Sequence, residues 1–447
     1  MAAASLPRLQ QQVEALARLQ QGPEAHASLC EAVFGVSCDV ATLSHMFDLA
    51  TGHVACSAGA RHVAATAAWV CLQRGQYPAL VQQFVQGAFL PLAVAGHGTP
   101  AGRCQLHQCG ALLAGQQAWG TMLQVLQDAH AALQAFMQLA DAISSDGSST
   151  AVGGSSSSSR SGGGASLACA IGCSSLLQDA PVATCQVMAV LLMTASGAAG
   201  APAAAMAEAA AAAAATHEQQ SAANAEGALD AVLQLAAGAL FDTACQLLCC
   251  SEAALRQAAF QQLLPACLHA AGAHSPAQRQ RCLGQLLARC LDMVARPVVP
   301  RRMGLAVLLQ HIADFDLQPP PAPSVAAGGP RPTAEGCAAT GGTDAGHAHA
   351  SSGSSSSSTS SECFWALLRE CLVDPEPLNR KRALRLMQLL LPRPQLQAQP
   401  QWGVLLALYE LLDEFTPHLV KATWPLVSGV SAACRGCACA CACAHVR

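Results

Sequence analysis

Arg380, Lys381, Arg382 and Arg385 place four positive charges within two turns of one helix, with little acid beside them beyond Glu376. Cations at that density take up the phosphate oxygens of a nucleic-acid backbone without reading its bases, because the attraction acts through charge and counterion release. The same residues also suit a plainer role, as a solvated helix face or as the arginine that fastens a repeat turn. Both readings stay open at the level of sequence.

Cysteine and histidine supply the other reactive groups. Cys104-Gln-Leu-His107-Gln-Cys109 has residue types that zinc takes, but a closed site needs four ligands and no second cluster follows nearby. Ordinary helix positions are the expected outcome. Cys434, Cys437, Cys439, Cys441, Cys443 and His445 have the chemistry to wrap a soft metal. Alternating Cys and Ala is also what a short nucleotide repeat encodes, and 434–447 is read as a low-complexity tail. His347 and His349 stand in a Ser-, Gly- and Pro-rich stretch, where such a pair is incidental. Arg61-His62 reads as a polar helix face. No metal ligand set is assigned. The chain has no Gly-x-Ser-x-Gly elbow, no P-loop and no His-Glu-x-x-His.

The elements that must hold these residues are helices. Phe364, Leu367, Leu368, Cys371 and Leu372 form one apolar stripe at helical spacing. Asp374-Pro375 then restarts the helix: Asp accepts from first-turn N–H groups, and Pro at the first position gives up a donor that has no partner there. The next helix sets Ala383, Leu386, Met387 and Leu390 on one side, and Pro392 and Pro394 stop it. Trp402, Leu405, Leu406, Tyr409 and Leu412 line a third helix. Thr416-Pro417 restarts a fourth, lined by Leu419, Val420, Thr423, Trp424 and Val427. Helix pairs joined by such turns read as two units of an α-solenoid, with Asp374, Arg380 and Ala383 where a HEAT-type repeat often has Asp, Arg and Ala. Asp374, Pro375, Ala383, Trp402, Tyr409 and Trp424 are the candidate repeat positions. One such pair leaves an apolar face uncovered, so neighbours must stack on it.

Within this stretch Phe364-Trp365, Leu372-Val373-Asp374-Pro375, Arg380-Lys381-Arg382-Ala383-Leu384, Leu408-Tyr409-Glu410-Leu411-Leu412-Asp413-Glu414-Phe415, His418-Leu419-Val420 and Ala422-Thr423-Trp424 stand in order. The run resembles the large eukaryotic SpoU-type tRNA guanosine-2′-O-methyltransferases, the TAR RNA-binding protein family. The resemblance covers 362–427. It implies a long helical-repeat region that serves a knotted methyltransferase domain lying far downstream. It implies methylation of a ribose 2′-hydroxyl in the tRNA D-loop, with S-adenosylmethionine as the methyl donor of the full-length family member. The family's catalytic motifs are Asn near an Arg, Gly-x-Glu-x-x-Gly and Ser-Leu-Asn. They have no counterpart here: Asn occurs only at Asn224 and Asn379, with the wrong neighbours. No catalytic residue and no cofactor site are carried over. The chain is expected to be a fragment, a truncated gene product or an arm retained alone, with tRNA as its partner. The competing expectation is a free-standing solenoid adaptor that binds protein and has no RNA role.

Composition bounds the rest. Of 447 residues, 52% are hydrophobic but only 4% aromatic and 11% charged, so the apolar content is mostly Ala and Leu. Lys appears only at Lys381 and Lys421, the bias of a GC-rich coding sequence. A net charge of −4 provides no global field for nucleic acid, so any RNA contact must be local. The 23 cysteines are too sparse for a disulfide scaffold. Cys30, Cys71, Cys245, Cys282 and Cys290 fall on apolar helix faces. They read as buried thiols of a reducing compartment, cytoplasmic or nuclear. Met1–Gln12 lacks the apolar core of a secretion signal, and Val187–Ala207 is too weakly apolar in its second half to cross a membrane.

The expected organisation is all-α, a HEAT- or armadillo-like solenoid interrupted by disordered insertions. Residues 1–143 form a helical-repeat block and 144–165 a Ser/Gly linker. Residues 166–315 form a second block, with an Ala-rich insertion at 195–224. Residues 316–361 form a disordered linker, and 362–433 the HEAT-like pairs. Within the blocks, helices are expected at Val63–Leu72, Leu80–Phe89, Leu106–Leu113 and Met122–Ile143. Others are expected at Leu229–Leu240, Leu247–Phe260, Leu263–Ala271, Gln278–Ala295 and Arg301–Phe315, with Ser275-Pro276 as a capped restart. No strict sequence period is visible.

Overall fold

The computed structural model describes residues 6–19, 23–34, 39–75, 77–146, 177, 179–199, 216–296, 299–315 and 366–390. Among them every regular element is helical and none is a strand. Two compact units are present, Met1–Leu283 and Gly284–Arg447.

The first unit opens with α1 (Leu6–Ala17), α2 (Pro23–Phe34), α3 (Val40–Thr51) and α4 (Ala58–Arg74). It continues with α5 (78–95), α6 (Pro100–Gly115), α7 (Trp119–Asp146) and α8 (Pro181–Ala199). Then come α9 (216–247) and α10 (253–274), while α11 (Pro276–Ala295) begins here and runs into the second unit. The starts follow simple capping chemistry. Asp39 accepts from the Thr42 N–H at 2.8 Å to open α3, Ser57 from Ala60 to open α4, and Thr99 from Gly102 to open α6 behind Pro100. Ser275 accepts from Gln278 at 3.1 Å, with Pro276 at the first position of α11, as the sequence leads one to expect.

Several helices depart from the expected bounds. α5 does not end at Phe89 but passes through Pro91, and α10 passes through Pro265. In each, a wide turn precedes the proline, Val85–Phe89 and Ala259–Leu263. Proline clashes with the carbonyl four residues back, and widening the preceding turn accommodates it without ending the helix. The expected helix Leu247–Phe260 is instead broken at 248–252. Neither Pro nor Gly marks that break. It is held by Arg256, whose Nη1 donates to the carbonyls of Cys250 and Ser251, both at 2.6 Å. α7 reaches Asp146, inside the stretch read as linker, and α8 and α9 extend into both ends of the Ala-rich insertion.

Every second helix packs on the next: α2 on α4, α4 on α6, α6 on α8 and α8 on α10. The odd series shows the same in part, α1 on α3, α3 on α5 and α7 on α9. The side chains between them follow from the sequence: Phe47, Phe84 and Phe89 meet edge-on at 5.1 Å and tilted at 6.0 Å. Leu43, Leu72, Leu112, Met122 and Leu126 fill the rest of the first core without exposure. Cys30, Cys71, Cys245, Cys282 and Cys290 are buried, and none of the described cysteines is in a disulfide. A polar seam also crosses this core. Gln105 Nε2 donates to the His62 carbonyl at 3.1 Å and to Thr66 Oγ1 at 3.0 Å. The α8 and α9 helices are apolar and long enough to cross a membrane, but about half of each apolar window is buried inside the protein (56% and 50%).

The second unit holds the remainder of α11, then α12 (Val299–His311), α13 (366–372) and α14 (Pro377–Leu390). α12 packs on α14. Leu291, Val294, Leu305, Leu308, Leu367, Leu368 and Leu386 converge in its apolar centre. Gly304 lets α12 close on α11, since a Cβ there would meet Val294 Cγ2 at 2.9 Å and the Cys290 carbonyl at 3.0 Å.

Candidate functional site

The α13–α14 turn is built around Asp374, which is 5% exposed. One carboxylate oxygen, Oδ2, receives Arg301 Nη1 at 2.6 Å; the other, Oδ1, receives the Glu376 N–H at 2.8 Å. Arg301 is fixed further by donating Nε to the Val294 carbonyl at 2.8 Å. Burial pushes the Asp374 carboxyl up, but the Arg301 guanidinium, the Glu376 N–H and Asn379 outweigh it and hold the group below the ordinary carboxylate range. The Asp374 hydrogen bond in turn pushes Arg301 up.

Asp374 therefore closes a turn rather than opening a helix directly. α14 starts at Pro377, not at Pro375, because the Asp374 side chain bonds two residues ahead and holds 374–376 in the turn. Pro377 then takes the first helical position, where a missing N–H is harmless. Ala383, Leu386, Met387 and Leu390 are buried, as their spacing indicates. Asn379 is buried under the turn, donating to Glu376 at 3.2 Å.

The four expected cations separate. Arg380 turns back to the turn and donates Nη1 to the Asp374 carbonyl at 2.8 Å and the Pro375 carbonyl at 3.4 Å. Lys381, Arg382 and Arg385 fall within about 100° of arc on the other side of α14, at 100° per residue. Lys381 and Arg385 are exposed, and Arg385 bonds Gln388 at 3.0 Å. Arg382 is half-buried and donates to the Arg302 carbonyl. Burial first, and the neighbouring Arg302 charge second, push Arg382 down.

Arg301 and Arg302 are the members that sequence reading misses. They lie far from Asp374 and Arg382 in the chain, and only packing of α12 on α14 brings them together. A positional signal does exist. Arginine occupies the fourth position of α4 (Arg61), α6 (Arg103), α10 (Arg256), α11 (Arg279), α12 (Arg302) and α14 (Arg380). Arg256 and Arg380 make the same pair of bonds, to the carbonyls six and five residues earlier. At the same position of α8, Thr184 Oγ1 donates to the Leu177 and Ala180 carbonyls.

The other sequence candidates fall elsewhere. Cys104, His107 and Cys109 lie on α6, but Cys109 is fully buried, Cys104 half-buried and His107 exposed. Burial pushes the Cys109 thiol up to about 12, which opposes a thiolate ligand. Arg61 and His62 are both half-buried on α4, and burial pushes His62 down. Among the described residues no three His, Cys, Asp or Glu side chains form a metal-holding group. Trp402, Tyr409, Trp424, His347, His349 and the 434–447 cysteines lie outside the described residues.

No family model matches the chain, and no curated protein matches it.

Proposed function

We propose that this chain is a HEAT-type α-solenoid arm that binds RNA, of the kind that serves tRNA ribose 2′-O-methylation, with a catalytic domain and S-adenosylmethionine supplied from outside it. The solenoid reading rests on a repeat written in the hydrogen bonds. Ser57 to Glu14, Arg74 to Glu31 and Gln105 to His62 each span 43 residues. Gln116 to Leu72 spans 44 and Cys282 to Ala237 spans 45. Equivalent positions of successive repeats lie side by side at that interval, and it falls within the ~40–47-residue period of HEAT and armadillo units. The serial packing of alternate helices and the arginine at the fourth position of α4, α6, α10, α12 and α14 agree with it.

The RNA reading rests on one observation: Lys381, Arg382 and Arg385 share an outward arc of α14 after Arg380 has been withdrawn to the turn. The resemblance of 362–427 supplies tRNA as the expected partner. A second reading, a protein-binding adaptor, is favoured by the net charge of −4 and by exposed Leu19, Val33, Val40 and Leu139. A filter-binding titration of the full chain with a tRNA transcript decides between them. The RNA reading expects affinity that falls steeply with salt and is largely lost in a Lys381→Gln, Arg382→Gln, Arg385→Gln triple variant. No tRNA binding by the unaltered chain leaves the adaptor.

A further inference from the structure

Arg302 stands at the same helix position as Arg256 and Arg380, yet its side chain is put to a different use. Those two guanidinium groups bond the carbonyls behind them, whereas the Arg302 side chain is 52% exposed. Among the described residues it pairs with Glu376, at 3.9 Å. Arg301 has already taken Asp374 and the Val294 carbonyl, so the staple of the turn does not need Arg302. Arg382 reaches across from α14 and donates to the Arg302 backbone carbonyl, which sets two guanidinium-bearing residues of different helices side by side. The Arg302 charge is close enough to push Arg382 down, and an outside anion placed near both relieves that repulsion.

We propose that Arg302 and Arg382 form a composite phosphate-binding site between α12 and α14, which extends the Lys381–Arg385 arc and grips the sugar–phosphate backbone of RNA. The proposal rests on the RNA-binding reading of α14. It makes the backbone, not the bases, the group recognised, since guanidinium pairs match phosphate oxygens and nothing aromatic flanks them among the described residues of α12 and α14. Arg302, Lys381, Arg382 and Arg385 then supply four cations to the ligand, with Glu376 beside Arg302 at 3.9 Å.

The test is salt-dependent binding of a tRNA transcript to the full chain and to its Arg302→Gln, Arg385→Gln and Arg18→Gln variants, with melting temperatures measured alongside. Arg302→Gln removes an exposed side chain whose carbonyl bond to Arg382 survives, so the fold is retained. The expected result is a log–log salt slope shallower by about 1 for Arg302→Gln and for Arg385→Gln, with affinity about eightfold weaker near 0.1 M salt. Arg18→Gln removes one exposed charge from the first unit and should match the unaltered chain. If Arg385→Gln weakens binding while Arg302→Gln binds as the unaltered chain does, the composite site is wrong and the RNA-binding arm stands. If the unaltered chain binds no RNA, both fall.

Discussion

Asp374 pairs with Arg301 and accepts the Glu376 N–H, and its behaviour with pH has a definite sign. Its folded-state pKa is depressed, so its contribution to stability is fully present above the unfolded value, about 3.9. That contribution is lost as pH falls through the lower folded value. An Asp374→Asn variant loses the charge at every pH. Calorimetric melting should find it less stable than the unaltered chain at pH 7, with the difference shrinking below about pH 4. Asp374→Ala, which leaves the partly buried Arg301 without its anion, should cost about 3 kcal/mol. Equal melting of Asp374→Asn and the unaltered chain at pH 7 would show that the staple contributes nothing. The thiols give a second residue-scale test. Burial pushes Cys30, Cys109 and Cys185 up to about 12, so iodoacetamide at pH 8 should spare them in the native chain. Among the described cysteines, exposed Cys249 should be alkylated first, as peptide mass spectrometry would read.

At the scale of elements, some breaks depend on bonds that no local motif announces. The turn at 248–252 carries neither Pro nor Gly, and Arg256 alone among the described contacts bridges two of its carbonyls. Arg256→Gln should cost about 2 kcal/mol, because two charge-assisted hydrogen bonds go. Hydrogen exchange should locate the loss as faster opening of the first turn of α10. Gly102 sits where α6 starts against the end of α5, and a Cβ there would stand 2.1 Å from the Gly96 carbonyl oxygen. Gly102→Ala should therefore destabilise by about 1–3 kcal/mol, even though alanine favours helix by about 1 kcal/mol. Capped restarts such as Ser275-Pro276 are legible in the sequence, because the residue that stops one helix and the one that starts the next are adjacent. Apolar stripes such as Ala383, Leu386, Met387 and Leu390 are legible for the same local reason. The continuity of α5 through Pro91 and of α10 through Pro265 is not legible, since the wide turns that accommodate these prolines leave no mark of their own.

At the scale of the molecule, the missing sequence period has a physical source. On the proposed solenoid reading, the repeated quantities are a hydrogen-bond interval and an arginine position, and both tolerate substitution everywhere else. Thr184 fills the arginine's place on α8, and on the same reading the Ser-, Gly-, Pro- and Ala-rich stretches of the sequence would interrupt the spacing. The basic cluster was legible as four charges but not as two groups, because Arg380 and Arg385 differ only in which carbonyl or solvent their guanidinium groups meet. That division gives the most direct measurement: tRNA affinity against salt, and melting temperature, for Arg380→Gln and Arg385→Gln in the full chain. Arg385→Gln should shallow the salt slope by about 1 and leave melting unchanged. Arg380→Gln should lower the melting temperature and leave the slope as it was. A slope that responds to Arg380 and ignores Arg385 would contradict the outward face of α14 as the surface that meets RNA.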